Sequence, residues 1–536
     1  MNYRSSLFQK FLLILRTLRY LSFRQLFFQL WYKVRNLLFR NDCILIASNP
    51  VSCPESGLSV YCSFIDYYTA FIPPLTFQFL NLRHSFSDTI NWNYAEKQKL
   101  WVYNLNYFDF LHQPDMSGEI GLQLIYDYVA NFNDVKVGKD PYPTSLRIIN
   151  WVKFYLNCNL YDTLIFSSIR EQTRFLSKNL EYHILANHLL ENAFALVVGS
   201  AFCNETRLFQ KGWKLLEGQL NEQILSDGAH YERSPMYHQI ILVRLLDTIN
   251  LMKSRSGYQP FVDFMTKKAQ MMLGWLMEIT SSGRLFPLFK DSAHGIAPTT
   301  GQILHYAERL LITPLKIELR DSGYRKFCGD DYTLLLDVGE ITPSYQPGHS
   351  HADTFNFELW VRGSQCIVDT GISTYNPGLR RLWERGTTAH NTITIGDSNT
   401  SEIWASHRVG FRPSVIICRE SEHSITAYHN GINLGKTRHQ RKVDSYENKV
   451  ELTDVILDNT SPDSEYTARF HFHPELSPVL IDNSLCRVEN LCIQWEGSAI
   501  AQIDDYLYAP EFNKLVVGKV LTLKFRQQLK ISLIVI

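Results

Sequence analysis

Three regimes of apolar and polar spacing follow one another along the chain. In residues 1–41 apolar side chains recur at helical intervals, Leu12, Leu15, Leu18 and Leu21 among them, interleaved with basic residues. Residues 42–95 lose that pattern; rich in Ser, Pro and Asn, they read as an irregular, strand-poor connection. From Leu100 to about Leu319 helical periodicity returns over Gly118–Phe132, Ser145–Leu156, Ser167–His183, Leu189–Phe202, Glu205–Ile224, Tyr237–Met252, Pro260–Thr280 and Gly301–Leu311. Short polar or Gly/Pro breaks separate these runs, which predicts antiparallel helix pairs. After about Tyr324 the runs shorten and become rich in β-formers, with turn residues between them at sandwich-like spacing: Tyr332–Val338, Phe355–Val361, Gln365–Asp369, Thr392–Ile395 and several more up to Ile531–Ile536. The expected organisation is multidomain, α then β, divided as 1–41, 42–95, 96–322 and 323–536.

Composition narrows the function classes. At 536 residues the chain exceeds one ordinary domain. Aromatic content is 13%, enough Trp and Tyr to line a carbohydrate groove. Formal net charge is zero, so the chain as a whole lacks the electrostatic signature of nucleic-acid binding. Ten cysteines are scattered without CxxC spacing; they read as buried thiols in a reducing compartment rather than as a disulfide framework. The first 41 residues contain no Asp or Glu but carry Arg4, Lys10, Arg16, Arg19, Arg24, Lys33, Arg35 and Arg40. Arg16 cuts the apolar run Phe11–Leu15 short, so no signal-peptide pattern is expected. The arm is too charged to span a bilayer. A basic amphipathic helix can lie on an anionic membrane, and the alternative is a helix packed on the body with its charges solvated. The expected location is the bacterial cytoplasm or the inner-membrane surface.

Candidate chemistry gathers in three stretches. In Gly348-His349-Ser350-His351-Ala352-Asp353 an extended backbone would put His349 and His351 on one face, and imidazoles suit both proton transfer and metal binding. A solvated loop is the alternative. Downstream lie Asp369 and His390, and two His with one Asp suffice for zinc. A simple hairpin at Arg362-Gly363-Ser364 would set Asp369 opposite about Phe357, so closing that set requires the loop before Phe355 to fold back over the sheet. In the helical half, Asn187, His188, Glu191 and Asn192 form two pairs at four-residue spacing, with Asn187 an N-cap candidate. The run Asp227–His238 leads into a helix, with Pro235 in its first turn and Tyr237 near its N-terminus, where the helix dipole favours a phenolate. A second HxH, His471-Phe472-His473, reads as structural.

Taken together, these pieces resemble the heparinase II/III-like polysaccharide lyases. The resemblance runs, in order, through Leu100–Leu111, Tyr142–Trp151, Asn187-His188 to Asn192, Asp227-Gly228 to Glu232–His238, His349–Asp353, Asp369-Thr370-Gly371 and Arg385 to Thr392. It implies an incomplete (α/α) toroid followed by an antiparallel β-sandwich with the cleft between them, and β-elimination at a uronic acid. By resemblance Tyr237 is the catalytic tyrosine and His349 the second catalytic group. Asn187 matches the position that engages the substrate carboxylate, with His188 the alternative one residue away. Asn192, Glu232, Arg233 and Arg385 are the candidate substrate contacts. His351, Asp369 and His390 match the ligands of one structural divalent metal, zinc. The implied partner is an acidic polysaccharide, and the basic arm resembles that of members associated with capsule or lipopolysaccharide production. Two other readings stand beside the lyase: a catalytically silent glycan-binding or assembly protein, and a hydrolase using the metal group directly.

Overall fold

A computed structural model describes residues 7–38, 56–94, 96–280, 285–396, 398–458, 464–497 and 499–536. Arg4, Arg40, Cys43 and Cys53 lie outside the described residues. The arm is two helices, α1 (Leu7–Leu18) and α2 (Phe23–Leu38), where the periodicity suggested one. The connection is less irregular than expected: Phe71–Ile72, Thr76–Phe79 and Leu82–Ser85 form a small antiparallel sheet.

The helical half comprises α3 (Lys99–Tyr107), α4 (Gly118–Ala130), α5 (Pro141–Asn157), α6 (Thr163–Lys178), α7 (Ala186–Phe202), α8 (Thr206–Gln223), α9 (Pro235–Met252), α10 (Gln259–Ile279) and α11 (Thr300–Arg309). It is the incomplete (α/α) toroid. α5, α7 and α9 are buried along nearly their whole length and form the inner layer. α6 and α8 bury only one face and form the outer layer. The polar side chains that α5, α7 and α9 carry inward are therefore either paired or in the cleft.

The second half is a sandwich. One layer is an eight-stranded antiparallel sheet built mainly from 415–457 and 479–496, closed in the middle by Gln528–Val535. Facing it are two four-stranded sheets, one of Tyr324–Cys328, Tyr332–Asp337, Phe357–Val361 and Ser364–Ile367, the other of Ile500–Glu511, Lys514–Phe525, Tyr466–His471 and Ile393–Ile395. A bridge between Ile367 and Phe472 joins them. Phe357–Val361 is buried on both faces: Leu359 points into the sandwich core and Trp360 into the core of the helices. Such two-sided burial gives an apolar run without strict alternation, and it welds the two halves together. A short helix, α12 (Leu379–Glu384), crosses between them. The described cysteines are all free, and Cys328 and Cys418 are exposed rather than buried.

Candidate active site

The helical wall of the site is set by two left-handed turns. Leu185 and Ala186 take positive φ as the chain enters α7, and Arg233 does so just before α9. These kinks turn Asn187 and Glu232 toward each other. The Asn187 backbone N–H donates to Glu232 Oε1 at 3.1 Å, and its side-chain amide donates to both Glu232 oxygens at 3.1 and 3.0 Å. Asn187 is therefore not an N-cap; α7 starts at Ala186 without a side-chain cap. At α9, Ser234 caps the helix by accepting from the Tyr237 N–H at 3.3 Å, with Pro235 in the first turn as the spacing predicted. Tyr237 is half-buried and projects into the cleft. Burial, the neighbouring Tyr375 hydroxyl at 3.3 Å, and Asp291 and Glu232 push its pKa well above the usual phenol value. The phenolate expected from the helix dipole gives way to a neutral phenol, because desolvation acts against the charged form.

The opposite wall is a strap, residues 348–353, between the sandwich and the helices. It is not extended, and His349 and His351 meet through a third residue instead of by alternation. The His349 Nδ1–H donates to Asp291 Oδ2 at 2.8 Å, and the His351 Nε2–H donates to Asp291 Oδ1 at 2.8 Å. Arg381 on α12 closes the other side of that carboxylate at 2.5 and 2.7 Å. Burial alone would raise Asp291, but Arg381 and the two imidazoles outweigh it and hold the carboxyl well below its usual range. Asp353, at the end of the strap, pairs with buried Lys290 at 2.5 Å, and Lys290 also meets Asp337 at 2.6 Å. An ionised Asp291 can only accept, so it fixes the proton of His349 on Nδ1. The lone pair on Nε2 then faces the cleft, 3.4 Å from the Asn187 amide. The rings of Tyr237 and His349 lie 4.0 Å apart, centre to centre.

These groups open into one cleft of about 740 Å³ between the two halves. Tyr67, Tyr68, Tyr103, Tyr107, Tyr142 and Tyr375 line it, which suits stacking against sugar faces. His188 lines it too, 3.0 Å from Glu181 Oε1 and with its ring tilted against that of Tyr142, 4.5 Å between centres. Burial opposes its charge, but Glu181 wins and raises its pKa above the ordinary value.

The other candidate contacts lie behind this surface. Asn192 is fully buried, accepting from the Glu181 N–H and donating to Ser145 and Glu181, so it positions Glu181. Glu232 borders the cleft with its oxygens committed to Asn187. Neither arginine reaches the cleft. Arg233 donates to the carbonyls of Glu340 and Asp321, and Arg385, fully buried, donates to the Ser350 carbonyl at 3.2 and 2.9 Å and thereby braces the strap. Sequence reasoning missed Asp291, Tyr375, Arg381 and Glu181. For Asp291 a signal existed: the apolar run Leu285–Phe289 delivers the Lys290-Asp291 pair straight into the core.

His351, Asp369 and His390 are fully buried, and none lines the cleft. The loop before Phe355 does fold back: Phe355 takes φ 67°, and the Asn356 amide donates to Asp369 Oδ2 at 2.5 Å. Gly371 allows the tight Asp369-Thr370-Gly371 turn, since a Cβ there would sit 2.2 Å from the Ala509 carbonyl. The His390 Nδ1–H donates to Asp369 at 2.8 Å. That leaves His390 Nε2 and His351 Nδ1 as buried imidazole nitrogens without hydrogen-bond partners, on rings 5.4 Å apart. The donor chemistry suits zinc, with each ring oriented by a carboxylate on its other nitrogen. Among the described residues, however, no three His, Cys, Asp or Glu side chains are gathered as a metal cage.

Known proteins carry both halves of this arrangement. The Heparinase II/III N-terminus profile matches residues 150–308, and the Heparinase II/III-like, C-terminal profile matches 312–533. The heparin-sulfate lyase of Pedobacter heparinus is 25% identical over 264 residues, covering 44% of this chain and 39% of that protein. The heparin-sulfate lyase of Bacteroides thetaiotaomicron is 24% identical over 281 residues, covering 43% and 39%. The chain thus spans about two fifths of the length of the curated relatives it matches. A crystal structure of heparinase III superposes with a TM-score of 0.62 at 16% identity, covering 84% of this chain and 80% of that one. A heparan sulfate lyase mutant from Pedobacter heparinus superposes at 0.57 and 16%, covering 86% and 81%. In fold and in sequence the chain belongs to the heparinase II/III-like family.

Proposed function

We propose that this chain is a polysaccharide lyase that cleaves a uronic-acid-containing glycan by β-elimination, acting on a bacterial surface polysaccharide. The observation that carries the reading is the meeting of Tyr237, the cleft-facing Nε2 of His349 and the Asn187 amide in one open cleft. The C5 proton of a uronate is weakly acidic, and elimination requires charge to spread into the carboxylate. Asn187 supplies a hydrogen-bond donor for that group, and His188, held toward its cationic form by Glu181, supplies charge. The His349 Nε2 lone pair takes the C5 proton. The C5–H electrons form the C4–C5 double bond as the C4–O4 bond breaks. Tyr237, a neutral phenol at rest, gives its proton to the departing O4 and is reprotonated from the adjacent His349. Similarity to proteins named as heparin-sulfate lyases supports an acidic glycan as substrate.

The divalent metal belongs to the same proposal. Zinc held by His351 Nδ1 and His390 Nε2, with Asp369 orienting the His390 ring from its Nδ1 side rather than serving as a ligand, would cross-link the strap to the sandwich and so keep His349 in place; zinc added to chelated protein then raises the melting temperature. Burial of that group away from the cleft speaks for a structural role and against a hydrolase built on it. Mass spectrometry of products from a panel of uronic-acid polymers tests the lyase. Unsaturated non-reducing ends support it, and saturated fragments made by water addition overturn it.

A further inference from the structure

Both arm helices turn their apolar stripes outward. On α1 the stripe is Phe11, Ile14, Leu15 and Leu18; on α2 it is Phe23, Leu26, Phe27, Leu30, Trp31, Val34 and Leu37. These positions recur every three or four residues, as one face of a helix does. All are exposed, Phe23 and Leu37 by 82% and 83%. The opposite face docks the arm through polar atoms and two rings, Phe28 against Tyr182 and Tyr32 against His183, at 4.6 and 5.3 Å between centres. The Gln25 amide donates to the carbonyls of Ile184 and Tyr345 at 3.2 and 3.1 Å. Arg35 donates to Lys178 O at 2.9 Å and Asn179 Oδ1 at 2.8 Å. The Trp404 indole donates to Thr17 at 3.0 Å, and Arg16 pairs with Glu402. A surface helix ordinarily buries its apolar stripe; here each helix leaves an apolar stripe in solvent. A contiguous apolar surface of this kind is built to be covered.

Charge identifies what covers it. Residues 1–41 hold eight basic and no acidic side chains, in a chain that balances 53 against 53. Lys10, Arg19, Arg24 and Lys33 are exposed, and by helical spacing they flank the two stripes. An apolar band edged only by cations complements a surface that is anionic at the rim and apolar beneath, which is an anionic lipid bilayer. No helix among the described residues is long and apolar enough to cross a membrane, so such a pair lies in the interface. The docking points also fix where the cleft sits: Ile184, which accepts from Gln25, lines it, as do His183, Gln346 and His407 beside the arm's contacts. We infer that α1 and α2 form a membrane-docking platform that seats the protein on an anionic bilayer with the cleft mouth alongside the lipid surface.

The test is co-sedimentation of the full chain with vesicles of phosphatidylglycerol and phosphatidylcholine in equal parts, against phosphatidylcholine alone. Binding to the anionic vesicles, weakened by salt, is expected. The double variant Leu30→Glu/Trp31→Glu lowers the bound fraction about tenfold or more while the melting temperature stays unchanged. Absence of wild-type binding overturns the inference, and so does a double variant that binds as well as wild type. A lipid-free dimer that the double variant dissolves also overturns it, since a second copy would then be the occupant. None of these outcomes depends on turnover in the cleft, so the platform and the lyase reading stand or fall separately.

Discussion

Two buried aspartates in this protein hold nearly the same set of partners, and only one of them holds an imidazole at the cleft. Asp291 is gripped by Arg381 and by two imidazoles, His349 and His351. Asp454, in the eight-stranded sheet, is gripped by Arg441 at 2.8 and 2.9 Å and by His439 at 2.7 Å. In both, burial alone would raise the carboxyl, but the arginine and the imidazole donors outweigh it, so both carboxyls are depressed. The difference lies in the second nitrogen of each ring. His439 Nδ1 meets His429 at 3.1 Å, and His429 Nδ1 accepts the Gly431 N–H at 2.9 Å, so that chain is closed inside the core. His349 leaves Nε2 at the cleft beside Tyr237. A carboxylate–imidazole pair becomes proton-transfer machinery only where the far nitrogen meets substrate; elsewhere the same pair is structural.

The sharpest way to break this comparison is to remove each imidazole. His349→Ala should lower turnover about 10²–10⁴-fold with little change in melting temperature. His439→Ala should lower the melting temperature and leave turnover of the folded fraction intact; equal loss of turnover in both would erase the distinction. Removing the carboxylates comes next. Asp454→Ala or Asp291→Ala leaves a buried arginine unpaired and should cost about 3–5 kcal/mol in denaturant unfolding, with only Asp291→Ala also reducing turnover. Smallest is a pH effect at His188. Its pKa is raised above the ordinary 6.5; burial works against this, while Glu181 and, less strongly, Glu232 favour the charge and Lys99 opposes it. Its imidazolium is therefore fully present below the ordinary value and is lost as pH climbs through the raised one. KM for an acidic glycan should rise a few-fold across that window, and His188→Gln should flatten the profile.

How far the sequence disclosed all this depended on how local each contact is. The α-then-β order was legible because period 3.6 gives way to period 2 near Tyr324, and the ends of α7, α9 and α10 fell close to their expected positions. Strands 437–445, 485–488 and 500–511 were missed: their polar outward residues, or the Gly, Pro and Asp near them, hide the alternation. The Asn187 and Tyr237 clusters stood out because their residues sit close together in sequence. Asp291 and Arg381 did not, because Asp291 reaches the strap from 58 residues away and Arg381 reaches Asp291 from 90. Arg233 and Arg385 looked like anion binders on charge alone, and only the backbone carbonyls around them reveal a structural use.

The central claim is that Tyr237 and His349 together strip a proton from an acidic sugar and expel its O4. Near-ultraviolet absorbance of a uronic-acid polymer incubated with wild type and with Tyr237→Phe tests it most directly. The account predicts steady growth of the unsaturated-product band with wild type and about 10²–10⁴-fold slower growth with a folded Tyr237→Phe. Undiminished growth with the variant would contradict it.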